Sequence, residues 1–192
     1  MKNHDAKREQ LLQAASEIVL QSGVNAMTLE AVAKQANVSK GGLLYHFPNK
    51  EALIEAMIKR LEQQFEDALE AEMQRELAEE KAPTQGRWLR AYVRVSTTST
   101  NELDELSGAL MAALSANPTL LAVMREADTR WQRLAENDGI DSNIATIIKL
   151  ACDGCWLAGL FGLDAAFNSE ARLQALQKSL LELIESAIEK QG

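Results

Sequence analysis

Only three prolines interrupt this 192-residue chain, and nowhere do β-branched residues alternate with polar ones over a long stretch. That excludes a sheet built on period-two patterning and leaves helix as the repeating element. Cysteine is scarcer still. Cys152 and Cys155 are too few for a secreted disulfide scaffold, and a chain of this length buries a core without staples. The start, MKNHDAKREQLLQAA, has no uninterrupted apolar run of the kind that directs secretion, so a reducing, cytoplasmic setting is expected. Histidine occurs only as His4 and His46, with no phosphate-binding loop or metal-ligand pair beside them. This poverty speaks against an enzyme, and neither cofactor nor metal is expected. The stretch CDGC, from Cys152, puts two thiols on one helix face, yet no further cysteine or neighbouring histidine completes a tetrahedral site. Buried packing is the expected role of both, with a redox-sensing pair as the alternative.

What is present is acid, unevenly placed. The chain carries 28 Asp and Glu against 20 Lys and Arg, a net charge of -8. Residues 1–50 nevertheless hold 6 basic and 4 acidic residues, whereas residues 51–192 hold 14 and 24. Such an asymmetry suits a small module that approaches phosphates, attached to a larger acidic body that does not.

Apolar residues recurring at threes and fours mark about nine helices, an all-α chain. The first runs from about Asp5 to Ser22 and ends at Gly23; Thr28 caps a second, Leu29 to Ala36. A third starts at Ser39 and stops before Pro48, and Asn49 caps a long fourth helix reaching about Glu80. The breaker KAPTQG follows. Five more segments are expected near 87–99, 103–115, 118–136, 142–163 and 171–190, separated by TNE, ANP, NDGID and FNSE.

In TLEAVAKQANVSKGGLLYHF the two short helices meet at a tight turn, with small Ala33 at the crossing and Asn37 at a position that tolerates positive φ. Val32, Val38 and Leu43 point inward, while Lys34, Gln35, Ser39 and Lys40 stay outside. This is a helix-turn-helix pattern, whose second helix enters the major groove by its N-terminal turn. Gly41 and Gly42 then remove bulk where backbone must approach DNA, at a cost of roughly 1 kcal/mol each relative to Ala.

The longer stretch AASEIVLQSGVNAMTLEAVAKQANVSKGGLLYHFPNKEAL resembles the DNA-binding domain of the TetR family of transcriptional repressors, in which an AA..L face precedes T...IA..AGVSKGTLYYHF.SKE.L. The likeness runs from about Lys7 to Leu53, roughly a quarter of the chain. Three positions depart from the pattern. Asn37 replaces a turn glycine, Gly42 a Thr, Ser or Ala, and Leu44 the first aromatic of a pair, which leaves the base-reading surface less polar. The resemblance implies DNA contacts from Thr28, Ser39, Lys40, Gly41, Gly42, Leu44, Tyr45, His46 and Lys50. Lys40 is expected to bond a base or phosphate and Leu44 to touch a thymine methyl. The helix starts after Thr28 and at Lys50 offer N–H groups to phosphates. His46 resembles a phosphate-contacting imidazole, with packing against the first helix as its alternative. For Tyr45 two roles stay open, a phosphate contact and an amphipathic wedge between helices.

The same resemblance implies an N-terminal helix-turn-helix domain, residues 1–48, and a C-terminal ligand-binding and dimerisation domain, residues 49–192, with 49–80 as connecting helix. Dimer candidates are the small residues Ala151, Gly154, Ala158 and Gly162 on a helix apolar almost all round, and Leu173, Leu176, Leu180, Leu183 and Ala187 on the last helix. A membrane span is rejected for the former, because Lys149 and Asp153 would each cost roughly 3 kcal/mol near the bilayer centre. Candidate ligand-binding residues are Trp88, Tyr92, Met111, Leu114, Met124, Trp131, Asp153, Trp156 and Phe161. Asp153 is an acid in an apolar stretch, open to a cationic ligand or to its i,i+4 neighbour Lys149. The implied function is a homodimeric repressor that binds a palindromic double-stranded DNA operator and is released by a small-molecule inducer. The alternative is a ligand-sensing or protein-binding helical module without operator binding.

Overall fold

The computed structural model describes residues 2–78, 83–98, 105–111, 117, 119–161 and 169–190, and all regular structure among them is helical. In chain order the helices are α1 (Lys2–Ser22), α2 (Leu29–Gln35), α3 (Lys40–His46), α4 (Lys50–Leu77), α5 (Arg87–Ser96), α6 (residues 105–111), α7 (Leu120–Glu136), α8 (Ser142–Phe161) and α9 (Glu170–Glu189). Most starts are set by an oxygen that accepts an otherwise orphaned N–H. Thr28 Oγ1 accepts from Ala31 N at 3.1 Å, Ser39 Oγ from Gly42 N at 3.1 Å, and Asn49 Oδ1 from Ala52 N at 2.8 Å. At α8, Asp141 Oδ1 takes the N–H groups of Asn143 and Ile144 at 3.0 and 3.1 Å.

Two compact units divide the chain differently from a cut after residue 48. Unit 1 comprises residues 1–62 and 105–125; unit 2 comprises 63–104 and 126–192. Unit 1 therefore takes in the first half of α4, α6 and the start of α7. Its core joins Leu11, Leu12, Val19, Met27, Val32, Leu43, Phe47, Leu53 and Met57 to Leu106, Leu110 and Leu120. The reason lies on α4, where Leu53, Ile54, Met57 and Ile58 make a buried stripe at helical spacing. That stripe joins α4 to the core built by α1, α2 and α3.

Unit 2 is centred on Leu89, Tyr92 and Val93 of α5, Ile148 and Cys152 of α8, and Leu180 and Ile184 of α9. Its buried polar pair is Glu76 with Arg90, 4% and 5% exposed. Arg90 Nε and Nη2 donate to the Glu76 carboxylate at 2.6 and 2.8 Å; Nη2 also reaches the carbonyl of Pro83 at 2.6 Å, and Nη1 that of Gln85 at 2.7 Å. Arg94 Nη1 adds a third bond to Glu76 at 3.1 Å. Burial works against the Glu76 carboxylate, but these guanidinium bonds outweigh it and hold the acid below its usual range.

The start of α5 is capped from a distant loop. Asp138 accepts from Trp88 N at 3.2 Å and Leu89 N at 2.8 Å, while its carbonyl accepts from Gly86 N at 2.7 Å. Gly86 adopts φ 72°, and a Cβ there would stand 2.6 Å from Ile184 Cγ2, so the position takes glycine for both reasons. Cys152 and Cys155 are free and buried, and burial pushes the Cys152 thiol up to about 12, so it stays protonated. Of the described helices, Ser142–Phe161 is long and apolar enough to cross a membrane by length and composition. Lys149 within it is 3% exposed and ion-paired inside unit 2, an interior arrangement.

Candidate nucleic-acid interface and buried aromatic cluster

The reading surface is assembled by the α2–α3 turn. Asn37 takes φ 49°, the left-handed conformation expected of it, and Val38 N reaches back to Ala33 O at 2.9 Å. Ala33 is buried at the crossing, and Val32 and Leu43 lock both helices onto α1 and α4. Outside lie Ser39, Lys40, Gly41, Leu44 and Tyr45, the last 76% exposed.

The two glycines differ. A Cβ on Gly41 would meet nothing within 4 Å, whereas one on Gly42 would stand 2.9 Å from Val38 Cγ1 and 3.2 Å from Ser39 Oγ. Gly42 is thus required by the turn's own packing, and Gly41 alone keeps the outer face low. Lys50 is used internally, its Nζ donating to Val24 O at 2.8 Å, which ties the α1–α2 loop to the start of α4. Lys40 Nζ is hydrogen-bonded to Glu30 of α2, a partner that sequence reasoning missed because the pairing spans the turn.

His46 is half-buried. Its ring lies 4.4 Å from that of His4 and 5.4 Å from that of Tyr45, and His4 packs edge-on against Tyr45 at 5.7 Å. Burial, then the neighbouring charges of His4, Arg8 and Lys7, lower the His46 pKa and favour the neutral ring. Arg8 also stands over Phe47, 5.4 Å from the ring centroid. Phe47 itself belongs to the core of unit 1.

In unit 2 four aromatic rings converge. Trp88 stacks on Tyr92 at 4.9 Å, and Phe65 meets Tyr92 at 5.5 Å and Trp131 at 5.0 Å. Asp153 closes one side. Its Oδ1 accepts from Tyr92 Oη at 2.5 Å and its Oδ2 from Lys149 Nζ at 2.7 Å, while Asp128 Oδ1 takes the same ammonium at 2.5 Å. Burial opposes the Lys149 charge, but the bonds to Asp128 and Asp153 prevail and raise its pKa. Tyr92, buried beside Asp153, has its phenol pKa pushed far up and stays a donor.

Trp88, Tyr92, Trp131 and Asp153 are thus brought together, joined by Phe65, which sequence reasoning passed over on the connecting helix. Met111 and Met124 pack instead against the core of unit 1. Trp156 is half-buried on α8, Phe161 is exposed at its end, and Leu114 lies outside the described residues.

On α8, Ile147, Leu150, Leu157 and Phe161 are exposed, and with Gly154 they recur at threes and fours along one face. Ala151 and Ala158 flank that face half-buried, and Gly162 lies outside the described residues. On α9, Leu180 is 6% exposed within the core of unit 2, and Leu176, Leu183 and Ala187 pack against that core. Leu173 is half-buried.

A family model described as bacterial regulatory proteins, tetR family, matches residues 11–57, and one described as tetracyclin repressor-like, C-terminal domain, matches residues 86–185. The chain belongs to the TetR family. This TetR-family chain is a transcriptional regulator with an N-terminal helix-turn-helix DNA-binding domain and the family's C-terminal domain. It is 27% identical over 186 residues to the HTH-type transcriptional regulator BetI of Paraburkholderia phymatum, covering 88% of this chain and 89% of BetI. With the HTH-type transcriptional regulator RutR of Escherichia coli K12 it shares 44% identity over 54 residues, and the match spans 26% of RutR. Among solved structures, the multidrug binding protein EbrR complexed with malachite green has a TM-score of 0.68 at 22% identity, over 92% of this chain and 96% of that one. SCO1917 of Streptomyces coelicolor A3, a member of the TetR family, has a TM-score of 0.65 at 20% identity, over 92% and 97%.

Proposed function

We propose that this regulator is a two-fold homodimer that represses by binding a palindromic operator through α3 of each protomer, and that a small apolar or amphipathic molecule releases it. The carrying observation is the apolar face of α8, on which Ile147, Leu150, Leu157 and Phe161 are exposed. An exposed row of large apolar side chains needs a partner. A second copy answers that need and supplies the second reading helix of a two-fold site, with half-sites about 34 to 36 Å apart or modestly more.

Within each protomer, Ser39, Lys40, Gly41, Leu44 and Tyr45 are the outward candidates for DNA contact. Thr28 and Lys50 act chiefly by holding the helices that carry them, and His46 by seating α3 against α1. The cluster of Phe65, Trp88, Tyr92 and Trp131, edged by Asp153, is the candidate inducer site. A ligand with different affinity for two arrangements of unit 2 shifts the population between them, and with it the spacing of the reading helices.

The test is selection of bound duplexes from a random library at a stated salt concentration. Enrichment of a palindrome with half-sites one to one and a half turns apart is expected. No enrichment, from protein shown by mass to be a dimer free of small molecules, would leave the ligand-sensing module without operator binding as the better reading. Malachite green, the compound present in the EbrR structure, is a first probe for release from the enriched duplex.

A further inference from the structure

From Thr28 to Lys50 the chain carries three lysines, Lys34, Lys40 and Lys50, and a single carboxylate, Glu30. That carboxylate lies in the first turn of α2 and accepts a hydrogen bond from Lys40, the residue that opens α3. The two side chains are 64% and 59% exposed. Ion pairs so exposed contribute little to folding. The bond from Lys40, then one from Glu30's own backbone N–H, hold the carboxyl below its usual range in the free protein. An acid beside a helix that approaches phosphates opposes binding, and its exposed pairing with Lys40 adds little to the fold.

We propose that Glu30 is a specificity-determining residue: it occupies Lys40 in the free protein and on arbitrary DNA, and yields it only where α3 seats fully in the groove. The inference rests on the operator-reading function proposed above. Sequence-independent binding comes from lysines and arginines that displace counterions from phosphates. A lysine held by its own carboxylate neutralises one phosphate fewer, so loose association is weakened. On a matched site, base contacts and close approach offset the exchange of Glu30 for a DNA acceptor. Glu30 thereby lowers arbitrary binding more than operator binding and widens the ratio between them.

Fluorescence anisotropy tests this with a mixed-sequence duplex of roughly two helical turns and with the duplex enriched by selection. Wild type, Glu30→Gln, Lys40→Met and the double variant are compared between about 50 and 200 mM KCl. Glu30→Gln should steepen the salt dependence on the mixed duplex by about 0.9, so that its advantage over wild type grows about 3.5-fold from the higher salt to the lower. Its gain on the enriched duplex should be smaller. In the Lys40→Met background the same substitution should leave the slope unchanged. An equal gain in that background means plain repulsion of phosphate by Glu30 and overturns the proposal, as does a wild-type slope for Glu30→Gln. Failure of the wild type to bind either duplex defeats the operator reading itself, a result distinct from both.

Discussion

Leu150 stands on the outer face of α8 with 61% of its surface exposed. Burying a whole leucine side chain stabilises by about 1.5–3 kcal/mol, so covering the exposed part contributes about 1–2 kcal/mol. A two-fold interface uses the position twice, once from each protomer. Leu150→Ala should therefore weaken the dimer by about 2–4 kcal/mol, toward the lower end because alanine keeps Cβ. That is roughly a 30- to 700-fold rise in the dimer Kd. The protomer, in which this side chain touches little, should change by no more than about 0.5 kcal/mol. Sedimentation equilibrium over a concentration series reads the first quantity, and far-UV circular dichroism on the same samples checks the second. An unchanged dimer Kd with helix content intact would refute the assignment of this face to the partner. Leu180, at 6% exposure, is the wrong place for the same experiment. An aspartate there attacks the core of unit 2 and confounds assembly with folding.

Glu76→Gln leaves the Arg90 guanidinium buried without its counter-charge and should destabilise by about 3 kcal/mol or more in urea unfolding. Because the folded carboxyl titrates below its ordinary value, its contribution is complete above about pH 4.3 and fades as pH falls through the folded pKa. The Gln variant should show a flatter acid limb, and coincident acid limbs would contradict the linkage. Gly41→Ala, in open space, should raise stability by about 1 kcal/mol while weakening DNA binding. Gly42→Ala, whose Cβ would press on Val38, should instead destabilise by about 1–3 kcal/mol. Thermal unfolding of the two variants decides, and equal effects would refute the distinction. Lys40→Ala should weaken binding to the enriched duplex without dissolving the dimer; normal binding there would mean that the reading helix is misplaced.

The helix-turn-helix was legible because its signals are local. Thr28 and Ser39 cap within three residues, and Asn37 declares its own backbone angle. The pair Lys149 and Asp153 was legible for the same reason, being one helical turn apart. Asp128 and Tyr92, which complete it, come from other helices and left no trace in spacing. Phe65 was missed because an aromatic on a long charged helix reads as one side chain among solvated neighbours until Tyr92 and Trp131 are brought to it. The apolar stripe on α9 shows a different limit. Periodicity reports that a face needs cover, and Leu180 and Ile184 find theirs within the same chain. Glu30 illustrates a third, since an acid in a first helical turn is ordinary in sequence and becomes informative only when Lys40 is found upon it.

Helix ends are where amides normally trade protons with water most freely, because the first N–H groups have no partner. The beginning of α5 departs from this. Gly86, Trp88 and Leu89 all donate to Asp138, some fifty residues further along the chain. Their hydrogen exchange is therefore governed by the loop between α7 and α8, and not by fraying of α5. In a deuterium pulse those three amides should keep pace with the middle of α5, so that a terminal turn reports the opening of a loop remote in sequence.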